Sequence, residues 1–209
     1  MNIVMFGATG TLGSRILDEL ISRGHNITAV VRDPSKLPNR ENVTGTAGDI
    51  YNPSDVADAA RGADIVVSAY GPRSENPNLL VNATQSLIDG VTEAGVRRLL
   101  TVGGAGSLEV APGVHLLDTH DFPVEWKEIA RAHRDALELL KGSGLDWTNL
   151  TPPAFIHPGE RTGKYRVGAD ELLTDERGKS EISAEDFAIA LADEVENPRH
   201  IRTRFTVAW

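Results

Sequence analysis

Apolar and polar positions along the chain alternate between two rhythms. Met1 to Phe6 is a short apolar run stopped by Gly7, the pattern of a parallel strand covered by helices on both faces. Leu12, Ile16 and Leu20 then recur at four-residue spacing with Leu17 and Ile21 beside them, until Gly24 ends an amphipathic helix. Strands are predicted at Ile27 to Val31, Val43 to Thr46, Asp64 to Ser68, Arg98 to Val102 and Trp147 to Thr151. Helices are predicted at Ser54 to Arg61, Leu79 to Glu93 and Pro123 to Lys141, the last being the longest. Regular alternation of strand and helix with short connections implies an α/β fold, a doubly wound parallel sheet of the Rossmann type. No repeat or linker marks a boundary, so residues 1–209 read as one domain with a small C-terminal substrate-side region.

The rhythm fails between His157 and Ser180, a stretch rich in glycine and charge. A loop of that length is usually functional or hides short elements. It is read as a lid over an acceptor pocket, with Gly159, Gly163, Gly168 and Gly178 as hinges and Arg161, Lys164 and Arg166 as attractors of an anion. The competing reading is a small substructure covering the sheet edge. Beyond it, Ser183 caps a helix that Asn197-Pro198 stops. Ile201, Thr203, Phe205 and Val207 alternate with Arg202, Arg204 and Thr206, which predicts an edge strand with one wet face.

Composition narrows the chemistry. The 209 residues are 40% hydrophobic and 24% charged, enough apolar material for a core. The formal charge of -9 argues against nucleic acid and anionic membranes as partners. Zero cysteines removes disulfides, thiol nucleophiles and thiolate metal sites. No apolar stretch is long enough to span a bilayer, and the first positive side chain is Arg15, so a cytoplasmic location is expected.

Gly7-Ala8-Thr9-Gly10-Thr11-Leu12-Gly13 lies between the first strand and the first helix. Glycines there permit a tight turn, approach of a pyrophosphate, and close packing of helix on strand, while the helix N-terminus favours the anion. A dinucleotide site is therefore expected at Gly7, Thr9, Gly10, Thr11, Leu12 and Gly13. At the end of the second strand stands Arg32, where an NAD-preferring site would place a carboxylate. A guanidinium suits a 2′-phosphate, so NADP(H) is favoured over NAD(H), although Asp33 beside it keeps NAD use open.

These motifs, with Gly48-Asp49-Ile50, Ser143 to Thr148, Pro152 to Phe155 and Ile182 to Ala188, resemble the atypical short-chain dehydrogenase/reductases. Within that group the chain resembles the NADH-flavin reductase-like proteins and the NmrA-like redox sensors, and the segment Pro158 to Arg166 is closest to the flavin-reductase-like subset. The resemblance implies that Asp49 and Ile50 flank an adenine, and that Ser68, Ala69, Tyr70 and Gly71 line the ribose and phosphates. It further implies that Val102, Gly103, Gly104, Pro152, Pro153, Ala154 and Phe155 lie near the nicotinamide.

The Tyr-x-x-x-Lys pair of ordinary short-chain dehydrogenases is absent. Four positions beyond Tyr51, Tyr70 and Tyr165 stand Asp55, Ser74 and Ala169. Its frame falls on Ile129 and His133. Without that proton carrier, hydride transfer to a flavin or quinone-like ring is the favoured reaction, since orientation of two rings is then the main requirement. Gly103 and Gly104 are read either as space for the flat acceptor or as a plain strand stop. Other readings are an NADP(H) sensor without turnover and a specialised reductase or isomerase. Candidate catalytic residues are few: Lys127 and His157 near the expected cleft, and His133, read as a surface residue of its helix. No metal is expected, because His115, Asp118, His120 and Asp121 lack a ligating spacing.

Overall fold

The computed structural model describes residues 1–37, 39–71 and 76–209. In chain order the elements are β1 (Asn2–Phe6), α1 (Thr11–Ser22), β2 (Asn26–Val31), β3 (Val43–Ala47), α2 (Pro53–Ala60), β4 (Ile65–Ser68) and α3 (Asn78–Glu93). They continue with β5 (Arg98–Val102), a small hairpin of β6 (Glu109–Ala111) and β7 (Val114–His115), α4 (Lys127–Gly142), β8 (Asp146–Thr151) and β9 (Phe155–His157). The last are β10 (Arg166–Gly168), β11 (Glu181–Ser183), α5 (Ala184–Glu196) and β12 (Thr203–Ala208).

The main sheet runs β10-β12-β8-β5-β4-β1-β2-β3. All its pairings are parallel except that of β10 with β12. The chain turns one way from β1 through β2 to β3 and the other way from β4 outward. The point of reversal lies between β1 and β4, and in open α/β sheets the ligand crevice opens there, beyond the carboxyl ends of the strands. The Rossmann-type doubly wound fold expected from the sequence is the fold of this chain.

Strand side chains explain why the central strands are apolar throughout. Successive residues point to opposite faces. Ile3 and Met5 join Ile16, Leu20, Phe187 and Leu191 of α1 and α5 in one core. Val4 and Phe6 join Val56, Leu87, Val91 and Leu137 of α2, α3 and α4 in the other. Each fully buried side chain of this size contributes about 1.5–3 kcal/mol.

Three expectations need correction. Helix α4 begins at Lys127, after a separate 3-10 turn at Val124–Trp126, and is 16 residues long, the same as α3. The C-terminal strand is not an edge. Strand β12 lies between β8 and β10, and Thr206 and Ala208 are buried on the face expected to be wet. The Arg204 side chain is largely buried as well, and its charge is compensated by Asp170 and by Ser107. The stretch from His157 to Ser180 holds β10, which supplies the true edge, so it is not structureless.

That stretch is anchored by carboxylates from the helices beneath. Asp186 of α5 is fully buried and accepts from the amides of Thr162 (2.7 Å) and Gly163 (2.8 Å), the Thr162 hydroxyl, and the Trp209 indole (2.8 Å). Burial pushes its carboxyl up, but these bonds outweigh it and the net shift is downward. Tyr165 donates to Asp193. Glu19 of α1 is 6% exposed and receives two bonds of 2.9 Å from Arg161 and one of 2.9 Å from Arg23.

The Arg161 bonds lead in holding the Glu19 carboxyl below the usual glutamate range, with Arg23 adding to them against the opposing effect of burial. A folded-state value below the unfolded one gives stability that is complete above about pH 4.3 and disappears as the pH falls through the folded value. Glu19→Gln should therefore cost about 1.5–3 kcal/mol at pH 7, the range of hydrogen bonds to charged groups. The deficit should shrink as the pH is lowered below 4, and urea unfolding at pH 7 and pH 3.5 measures it.

Candidate functional site

Backbone meets backbone at the end of β1. Gly7 has φ +78°, and a Cβ on it would sit 2.6 Å from the carbonyl carbon of Ala69 and 2.7 Å from the Tyr70 nitrogen. Only glycine serves both conditions. The turn then folds on itself, Gly10 N donating to Gly7 O at 3.1 Å. Gly13 lies on the inner side of α1, where a Cβ would fall 1.9 Å from Gly7 O. Gly10 differs, because a Cβ there would meet only Gly7 O, at 3.4 Å, an ordinary contact. The first turn of α1 has no side-chain cap and no acidic residue, so no side chain offsets the positive end of the helix there.

A crevice of about 600 Å³ opens above this turn. It brings together Gly7, Thr9, Gly10, Arg32, Asp49, Ile50, Ala69, Tyr70 and Gly71 from the expected set. Thr11, Leu12 and Gly13 form the helix start beside it, and Ser68 is the buried end of β4. Tyr51 and Leu79 also line the crevice and were not expected. Tyr51 follows Asp49-Ile50 directly, which is the one sequence signal for it.

The two residues after β2 have distinct roles. Asp33 accepts from Ser35 N (3.1 Å) and Ser35 Oγ (2.6 Å), capping the turn Pro34–Lys36. Arg32 is exposed on the crevice wall, and among the described residues its guanidinium has no hydrogen bond or ion pair. The Asp49 turn is fixed by a bond from Asp49 N to Asp55 (2.9 Å) and one from Tyr51 N to Asp49 Oδ1 (3.0 Å). Tyr51 and Tyr70 share a hydrogen bond between their hydroxyls, their rings perpendicular with centroids 5.9 Å apart. Burial first, and then the bond to Tyr51, push the Tyr70 hydroxyl far above the usual phenol range, so it stays neutral.

Val102 ends β5 with Gly103 and Gly104 after it, and Pro152, Pro153 and Ala154 lead from β8 to Phe155 at the start of β9, on the same carboxyl end of the sheet. They do not line the crevice just described. The two glycines do not simply leave open space. A Cβ on Gly103 would strike Asn149 Oδ1 (2.3 Å) and Thr151 Oγ1 (2.7 Å), and one on Gly104 would strike the His133 ring (2.7 Å to Cγ).

His133 is accordingly not a surface residue of α4. Its ring packs inward on Gly104 and borders a small enclosed hollow with Ser68, Thr101 and Asn149. Burial pulls its pKa down to about 4, which keeps the imidazole neutral near pH 7. Lys127 is the first residue of α4 and half-buried. His157 is turned toward Trp209, with ring centroids 6.0 Å apart, and does not line the crevice. No group of three or more metal-ligating side chains occurs among the described residues. No helix there is long and apolar enough to cross a membrane.

The glycines give a test with opposite outcomes at two positions. Gly13→Ala should lower stability by about 1–3 kcal/mol, the usual range for overpacking. Gly10→Val should leave thermal unfolding near wild type and weaken dinucleotide binding at least tenfold, as measured by calorimetry.

A sequence model of an NAD(P)H-binding family matches residues 7–198. YwnB of Bacillus subtilis is 40% identical over 211 residues, covering 99% of this chain and 98% of that protein. Among solved structures, a protein from Burkholderia pseudomallei described as a putative exported protein is 49% identical, with a TM-score of 0.93 and full coverage of both chains. A putative NADH-flavin reductase from Streptococcus pneumoniae is 34% identical with a TM-score of 0.84, covering 100% of this chain and 99% of that one.

Proposed function

The chain belongs to the NAD(P)H-binding family, and from that premise we propose that it is a reductase using NADPH in preference to NADH to reduce a flavin or related flat acceptor. The preference for NADPH rests on the division of labour after β2. Asp33 is committed to capping its own turn, while Arg32 faces the crevice with no hydrogen bond or ion pair among the described residues. A carboxylate oxygen engaged by Ser35 is not offered to a ribose hydroxyl, and a guanidinium on the crevice wall can hold a 2′-phosphate bidentately.

The remaining residues fit the same dinucleotide. The uncapped start of α1 and the bare Cα of Gly10 admit the pyrophosphate, and Ile50 gives the adenine an apolar floor. When bound, the dihydronicotinamide supplies hydride. The chain's own part is orientation, because its tyrosines are engaged in other bonds: Tyr51 with Tyr70 on the crevice wall, and Tyr165 with Asp193. Neutral His133 behind Gly104 is a packing group that fixes the turn after β5. An acceptor whose reduced form takes its proton from solvent suits this arrangement, since proximity and orientation alone lower a barrier by several kcal/mol. Likeness to the S. pneumoniae protein supports the flavin class.

Anaerobic mixing of the protein with NADPH and a panel of flavins and quinones should bleach the nicotinamide absorbance with at least one acceptor. Tight NADPH binding with no bleaching by any of them would instead identify a sensor. Arg32→Ala should weaken NADP(H) by about 1.5–3 kcal/mol and leave NAD(H) nearly unchanged. Calorimetric titration of both dinucleotides decides this, and equal losses for the two overturn the assignment.

A further inference from the structure

Tyr51 and Tyr70 come from the turns after β3 and β4. In the sheet order β4-β1-β2-β3 those strands lie three spacings apart, about 14 Å. The space between them is the carboxyl end of β1 and β2, where the glycine turn and Arg32 stand. The hydroxyl-to-hydroxyl bond joins the two walls of the crevice across that gap.

The two rings are held to different degrees. Tyr70 packs against Leu80 of α3 and against Ala132 and Ala136 of α4, and its amide donates to Ser68 Oγ at 3.4 Å. Tyr51 is 37% exposed, with only its backbone fixed by the Asp49 carboxylate. Helices α2 and α3, which follow the two turns, are locked together where a Cβ on Gly90 would meet Pro53 O at 2.5 Å. Of the two rings Tyr51 is the more exposed, so opening of the pair is assigned to the Tyr51 side chain.

We propose that Tyr51 and Tyr70 form a clasp over the adenosine end of the dinucleotide site, closed in both the free and the bound protein, so that Tyr51 sets the rate of ligand exchange without setting affinity. This rests on the dinucleotide reading of the crevice. The crevice that both tyrosines line has a volume of about 600 Å³, room for a nucleotide with the bond intact. A bond kept in both end states and broken only during passage slows arrival and departure alike and cancels in the equilibrium constant.

Stopped-flow mixing of NADPH with wild type, Tyr51→Phe and Tyr70→Phe tests it, since each variant keeps its ring and loses the shared bond. Association and dissociation should both speed up by about two- to tenfold, the worth of one neutral hydrogen bond. The dissociation constant should stay within about twofold. Adenosine 2′,5′-bisphosphate should show the same parallel change, and nicotinamide mononucleotide should show none. Faster dissociation with unchanged association would make the tyrosines ordinary ligand contacts and overturn the clasp, and so would wild-type rates in both variants. Failure of the wild-type protein itself to bind NADPH would overturn the dinucleotide reading, and the clasp with it.

Discussion

The close passage of Gly7 beneath the turn after β4 is the constraint on which the rest of the site depends. Backbone atoms of Ala69 and Tyr70 lie where a side chain on Gly7 would have to be. Gly13 carries the same demand into α1, and so the helix axis is aimed along the crevice floor. Because the turn after β4 is pinned there, Tyr70 is held at the crevice wall, and Tyr51 can reach it from the turn after β3. The positive helix end and Tyr70 are thus placed by one backbone crossing at the reversal of strand order, and Arg32 stands beside them at the end of β2.

A second layer of control comes from carboxylates turned inward. Glu19, Asp186 and Glu194 are each nearly buried, and each receives several donors. Glu194 accepts from Arg98 of β5 at 2.8 Å, from the amides of Arg199 and His200, and faces His200 Nδ1 at 2.8 Å. Such groups contribute little net stability against apolar alternatives, but losing one partner leaves a charge uncompensated. They fix how the chain after α4 is laid across the sheet, whereas the two apolar cores would tolerate several arrangements.

What could be read from the residues in order was what depends on neighbours in order. Apolar runs such as Ile65 to Val67 and four-residue spacings such as Leu12, Ile16 and Leu20 give their elements directly, and the glycine turn with Arg32 places the crevice. The alternation in β12 misled because both faces of the strand are covered: on the face of Thr206 and Ala208, Arg204 bonds Ser107 and Asp170, segments far off in sequence. His133 misled for a similar reason: its inward direction follows from the missing side chain of Gly104, 29 positions away. Tyr51 and Tyr70 each look like an isolated polar aromatic until the sheet brings their turns together.

The position of β12 between β8 and β10 also has a consequence for synthesis. As the chain leaves the ribosome, β8 is complete more than 50 residues before its outer neighbour, Thr203–Ala208, exists. During that interval β8 presents unpaired backbone groups beside Trp147 and Leu150, the kind of edge that invites pairing with another nascent chain. Strand β10 emerges earlier but has nothing to pair with until β12 slides between them. The sheet therefore closes last on the side away from the crevice between β1 and β4, and chaperone dependence should be concentrated in that late window.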